Sequence, residues 1–130
     1  MKSEILTLHK ALIDAHLNKD VDFFVQDLSE DYVSVSRGEI LKPTIDEIRA
    51  GFSDYLNNTI FSEYSDLCEP IIGVSKDGSV GWSIVQVKVA GKRVMDDGSE
   101  AEFDDTWAWI TLYEQQGDKW MRLVEVSNRK

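Results

Sequence analysis

Residues 100–128 constrain the fold of this chain more than any other stretch. Two runs rich in aromatic and β-branched residues, from Glu100 and from Lys119, flank a short polar turn at Gln115–Asp118. Such side chains pack well on a pleated surface, so the pattern predicts two long strands joined as a hairpin. Phe103, Trp107, Trp109 and Tyr113 fall on alternate positions of the first arm and share one face. A face that apolar needs cover, and the amphipathic helices that could supply it all lie in the first half of the chain.

Residues 3–18 have helical periodicity, with Ser3 placed to cap. Ile5, Leu6, Leu8, Leu12, Ile13, Ala15 and Leu17 spread over an arc of roughly 200°, opposite Thr7, Lys10 and Asp14. His9 and His16 fall inside the apolar arc, which is unexpected for imidazoles. Asn18–Asp20 breaks the pattern, and Asp20 is placed to cap a second helix over 21–28 that buries Phe23, Phe24 and Leu28. Tyr32-Val-Ser-Val-Ser36 alternates as a short strand and closes at Arg37-Gly38. Pro43-Thr44 opens a third helix, where Thr44 and Glu47 have capping-box spacing and Ile45, Ile48, Phe52, Tyr55 and Leu56 form one apolar face.

Beyond Asn58 the period changes from 3.6 to 2. Strands are expected near 60–68, 71–75, 79–91, 101–115 and 119–128, with turns at Lys76–Gly78, Asp96–Gly98 and Gln116–Asp118. Pro70 and Gly73 are expected to bend or bulge the sheet between the first two. Helices first and a meander after imply a single α+β domain over 1–130, its helices packed on one face of a curved antiparallel sheet.

Charge narrows the partners. The formal net charge is −10, which opposes binding to nucleic acid and docking on anionic membranes. No run approaches the ~20 apolar residues that span a bilayer. Met1–Lys10 lacks the apolar core of a secretory signal, so a cytoplasmic location is expected. The single cysteine, Cys68, has no basic neighbourhood and reads as a small buried apolar residue.

The order helix, short helix, short strand, helix, long meander resembles the nuclear transport factor 2-like superfamily, particularly its SnoaL-like and ketosteroid-isomerase-like branch. The resemblance is carried by Asn18–Phe24 with Tyr32–Ser36, and by the Gly117-Asp-Lys-Trp120 hairpin before the last strand. It implies a cone whose three N-terminal helices and concave sheet enclose an apolar pocket, with dimers formed through the sheet. It also implies a choice among isomerases, polyketide cyclases, dehydratases, epoxide hydrolases and silent binding or assembly domains. The position of the isomerase general base falls at about Ser36, and that of the oxyanion-hole tyrosine near Leu12. Serine is no carboxylate base and leucine no donor, so the isomerase mechanism itself is not supported.

Several side chains remain as candidates, each beside a blander reading. His9 and His16 either satisfy neighbouring carbonyls or carboxylates, or reach a pocket wall as ligand contact or general acid–base. Seven helical residues separate them by about 10.5 Å, too far to share a metal ion, and no metal site is expected. Asp105, on the face of Phe103, Trp107 and Trp109, is either an acid–base group with a raised pKa or a strand-end carboxylate continuing an acidic hairpin. Tyr32, Phe52, Tyr55, Trp82, Trp107 and Trp109 either line a pocket for a flat apolar ligand or form core and interface; Trp120 reads as core. Arg122 and Glu125, an odd interval apart on one strand, are expected on opposite faces.

The function expected is binding of a small apolar or aromatic molecule; if the protein is a cofactor-independent isomerase, dehydratase or cyclase, His16 or Asp105 is expected to serve as its general acid–base. His9, Tyr32, Phe52, Tyr55, Trp82, Trp107 and Trp109 would contact the ligand, and two copies would pair through the sheet. The alternative is a non-catalytic dimerisation or interaction module, in which the aromatic strand, Trp109 included, forms the interface.

Overall fold

The computed structural model describes residues 1–130. Helix α1 spans Lys2–Leu17 and α2 Val21–Val25; strands β1 (Leu28–Ser36) and β2 (Glu39–Leu41) form a hairpin before α3 (Ile45–Asn57). The meander follows as β3 (Thr59–Asp66), β4 (Ile71–Val74), β5 (Val80–Val94), β6 (Glu100–Gln116) and β7 (Lys119–Arg129). One sheet has the order β2-β1-β7-β6-β5-β3, with β4 paired to β5. No helix is long and apolar enough to cross a membrane.

The fold is α+β as expected, with local corrections. The capping box of α3 is present in full: Thr44 Oγ1 accepts from the Glu47 N–H, and Glu47 Oε1 from the Thr44 N–H. Ser3 does not cap α1, which already starts at Lys2, and Asp20 holds the N-cap position of α2 without a side-chain bond. Helix α2 is five residues long, because Leu28 has passed into β1. The hairpin partner β2 is an addition that no apolar alternation announces.

The sheet is mixed rather than antiparallel. Strand β1 runs parallel to β7, with Ser34 opposite Glu125 and Val35 opposite Val126. Side-chain alternation carries no information about strand direction, and these two strands meet only after the whole meander has intervened.

Helices cover one face. Odd-numbered β5 residues, Ser83, Val85, Val87 and Val89, are buried beneath them, while Ile84 and Gln86 are exposed on the other face. One core cluster joins Ile5 of α1 to Tyr113 and Trp120, and Trp120 Nε1 donates to Glu4 Oε2 at 3.1 Å. The other joins Ala15, Phe24 and Leu56, with Leu12, Phe52, Tyr55 and Phe61 around it. Cys68 is exposed in the segment between β3 and β4, contrary to expectation.

Two irregularities shape the inner surface. Between β3 and β5 the register slips at Phe61/Glu63, opposite Gly91. A β-carbon at Gly91 would collide with the Ile60 carbonyl, so only glycine allows this close approach. Between β6 and β7, Tyr113 faces Arg122 but Leu112 already faces Val124, so Leu123 is an extra residue. That bulge reverses the parity of β7. Arg122 and Glu125 therefore lie on the same inner face, not on opposite ones.

Candidate functional site

The inner face of β5–β7, the last turns of α1, α2 and α3 enclose a cavity of about 380 Å³. Leu12 and His16 reach it from α1, Phe24 from α2, Phe52 and Tyr55 from α3, and Tyr64 from β3. Phe103, Asp105, Trp107 and Trp109 line it from β6, and Arg122, Glu125 and Ser127 from β7. Each strand contributes every second residue except where the bulge intervenes, which is why the inner row of β6 is continuous. A second hollow of about 370 Å³ shares Phe24, Phe52, Tyr55, Arg122, Glu125 and Ser127 with the first and adds Tyr32. The two are adjoining parts of one depression.

Of the residues singled out in the sequence, His16, Asp105, Phe52, Tyr55, Trp107 and Trp109 converge on the cavity, and Tyr32 on its extension. Two do not. His9 is 2 % exposed and bonds through Nε2 to Asp66 Oδ1 at 2.7 Å; it lies behind the lining, its ring 6.2 Å from that of Trp109. Trp82 lies on the opposite sheet face, paired with Leu112, its ring over the backbone of Gly73 on β4. Tyr64, Arg37, Arg93 and Ser127 are additions, and Arg122 and Glu125, expected on opposite faces, both join the lining. Tyr64 falls on the inner face because it pairs with Val89. That pairing is a tertiary signal absent from the sequence of β3 alone.

His16 has the most defined chemistry. Its ring lies 4.4 Å from that of Tyr64, tilted by 33°, and meets Phe24, Tyr55 and Phe61 edge to face. Burial lowers its pKa to about 4, against a smaller opposing effect of its bond to a carbonyl, so the imidazole is neutral at pH 7. That bond fixes the tautomer. Nδ1 lies 2.9 Å from the Leu12 carbonyl, which can only accept, so Nδ1 carries the hydrogen and Nε2 the lone pair. Nε2 is not a sealed, partnerless atom, and the residue lines the cavity. A neutral acceptor is therefore offered to whatever enters.

The acidic groups are held by arginines. Glu125 Oε1 accepts from the Tyr32 hydroxyl at 2.8 Å and lies 3.6 Å from Arg122 Nη1. Arg122 Nη2 in turn donates to the carbonyls of Phe23, Phe24 and Gln26, closing the C-terminal end of α2. Asp105 lies 3.8 Å from Arg129 Nη1, so it is not a lone carboxylate in an apolar setting. Burial raises the pKa values of Tyr32 and Tyr64 and pushes that of Tyr55 up to about 12, so all three remain hydroxyl donors.

No family model and no curated protein matches the sequence. Solved structures match over the whole chain. An NTF2-like protein from Cytophaga hutchinsonii is 18% identical, with a TM-score of 0.76, 100% of this chain and 98% of that chain covered. A protein of the NTF2-like family from Streptomyces avermitilis, provisionally described as a dehydratase, is 11% identical at a TM-score of 0.73, covering 96% and 93%. A Xanthomonas campestris protein, provisionally a calcium/calmodulin-dependent protein kinase II association domain, is 13% identical at a TM-score of 0.64, covering 95% and 84%. The chain has the NTF2-like fold.

Proposed function

We propose that the cavity binds a small, largely aromatic or apolar molecule and orients it by a hydrogen bond to His16 Nε2. The observation that carries this is a neutral imidazole of fixed tautomer facing a cavity of about 380 Å³ with Trp107 and Trp109 in its wall. Aromatic walls with few convergent polar groups are the usual composition of a ligand site. The chemistry open to such a site is cofactor-independent proton transfer, of the kind isomerases, dehydratases and cyclases perform. His16 Nε2 would take a proton from the ligand and return that proton to a second atom of it, with the Asp105 carboxylate on the same wall to offset the imidazolium charge, while Tyr32 and Tyr55 orient the ligand. The fold shared with the Streptomyces protein is compatible with this reading.

Native mass spectrometry of the protein as purified, at low activation energy, tests the pocket. The expected spectrum carries a discrete small-molecule adduct that is lost when His16→Ala is measured the same way. A bare mass, together with no thermal stabilisation by any compound of a neutral and acidic aromatic panel, overturns the reading.

We propose also that two copies pair through the outer sheet face. Ile71, Ile84, Ile110 and Val126 lie in register across four strands there, each between 37 % and 59 % exposed. A contiguous apolar row of that kind is what an isologous interface needs. Trp109 is on the inner face, so the interface residue to alter is Ile110 rather than Trp109.

A further inference from the structure

The chain has five arginines, Arg37, Arg49, Arg93, Arg122 and Arg129. Three are ion-paired: Arg49 with Asp22, Arg122 with Glu125 and Arg129 with Asp105. Arg37 and Arg93 have no carboxylate within ion-pair distance, and both line the cavity. Both are exposed where they line it, so neither guanidinium is taken up by another partner.

Each is also held in a particular place. Arg37 and Gly38, at φ 53° and 78°, are the central residues of the β1–β2 hairpin, with Ser36 paired to Glu39. A turn needing positive φ at both positions favours Asn, Asp or Gly at the first, so arginine there is conformationally disfavoured. Arg93 extends from the inner face of β5, its guanidinium 4.8 Å from the Phe103 ring centroid. Stacking fixes the plane of the guanidinium and leaves its N–H edge free to bind an anion.

We infer that Arg37 and Arg93 receive a carboxylate on the ligand, so that the substrate class of this site is small aromatic or apolar monocarboxylates. This rests on the ligand-binding reading of the cavity. Asp105 and Glu125 on the same lining oppose a doubly charged group, which favours carboxylate over phosphate. The ligand would lie with its ring against Trp107 and Trp109 and its anionic end at the two arginines; a donor group, where the ligand carries one, would meet His16. Guanidinium and carboxylate meet in a bidentate geometry that lysine does not offer.

Isothermal titration calorimetry with 2-naphthoate, 2-naphthalenemethanol and 2-naphthyl phosphate tests this on the full chain. The expected result is 2-naphthoate binding at least tenfold more tightly than either analogue, with the preference falling at higher salt. Arg37→Gln and Arg93→Gln should each weaken 2-naphthoate about tenfold and leave the alcohol unchanged, with far-UV circular dichroism confirming the fold. Equal affinity for acid and alcohol, tighter binding of the phosphate, or variants that weaken acid and alcohol alike would overturn the carboxylate assignment while leaving the pocket standing. Binding of none of the three overturns the carboxylate assignment, and together with a bare native mass and no stabilisation by the aromatic panel it overturns the pocket reading as well.

Discussion

Tyr32 donates its hydroxyl hydrogen to Glu125 Oε1 at 2.8 Å, joining β1 to β7 across 93 residues of sequence. Because β1 and β7 are parallel neighbours, this bond ties the first strand to the last beside the cavity. Hydrogen bonds to a charged partner contribute about 1.5–3 kcal/mol. Tyr32→Phe should therefore lower stability by roughly 2 kcal/mol in urea unfolding, with an unchanged m-value. A loss below about 0.5 kcal/mol would show that water replaces the hydroxyl at no cost.

All four tyrosines have pKa values raised by burial: Tyr32 and Tyr64 far up, Tyr55 and Tyr113 to about 12. In the unfolded chain they ionise near 10.0. Above pH 10 the unfolded state loses protons that the folded state keeps, so stability falls as pH rises, by about 1.4 kcal/mol per pH unit for each tyrosine. Phenolate absorbance should stay low until the chain unfolds and then rise in one cooperative step. Gradual ionisation near pH 10 with secondary structure intact would contradict the packing around these rings.

The order of elements is legible because their periods differ, and the inner row of β6 is legible because Phe103, Trp107 and Trp109 have no aromatic rivals at the intervening positions. On β5 both faces are apolar, Ile84 outward and Val85 inward, so alternation cannot say which side Trp82 takes. On β7 the extra Leu123 reverses parity, which no single-strand pattern reveals. A helical wheel reports a face and not a height: His9 and His16 share a face, but one meets Asp66 and the other the cavity. Arg37 and Arg93 sit at a turn and near a strand end, where charge ordinarily means solvent, and only the assembled sheet, with β7 and β6 between β1 and β5, puts both on the lining of one cavity.

The apolar row on the outer face gives a prediction about assembly. Ile110→Lys places a charge at the centre of the row formed with Ile84 and Val126. Sedimentation equilibrium should find dimers for the parent chain and monomers for the variant, with far-UV circular dichroism unchanged. A parent chain that is monomeric at tens of micromolar removes the sheet-mediated pair.

Gly91 predicts a steric effect without loss of any bond. Gly91→Ala would place a β-carbon against the Ile60 carbonyl and the Phe61 backbone, neither of which is a flexible side-chain end. The β3–β5 bulge must shift to admit it, and overpacking of this kind costs about 1–3 kcal/mol. Since β3 carries Tyr64 into the cavity, the variant should also weaken binding of 2-naphthoate. Unchanged stability and affinity would mean that the bulge adjusts freely.

His16 sets the acid limit of the fold. Its pKa is about 4 in the folded chain and 6.5 in the unfolded one, because burial disfavours the imidazolium. Below pH 6.5 the unfolded state takes up a proton that the folded state refuses, so stability declines as pH falls from 6.5 towards 4. The decline contributed by this one residue approaches about 3 kcal/mol. His16→Asn removes the titration and can still donate towards the Leu12 carbonyl. Urea midpoints of the parent and variant should therefore converge on acidification, the parent losing its margin over that interval. Parallel curves between pH 7 and 4 would show that His16 is solvated in the native state. They would also remove the neutral acceptor on which ligand orientation depends.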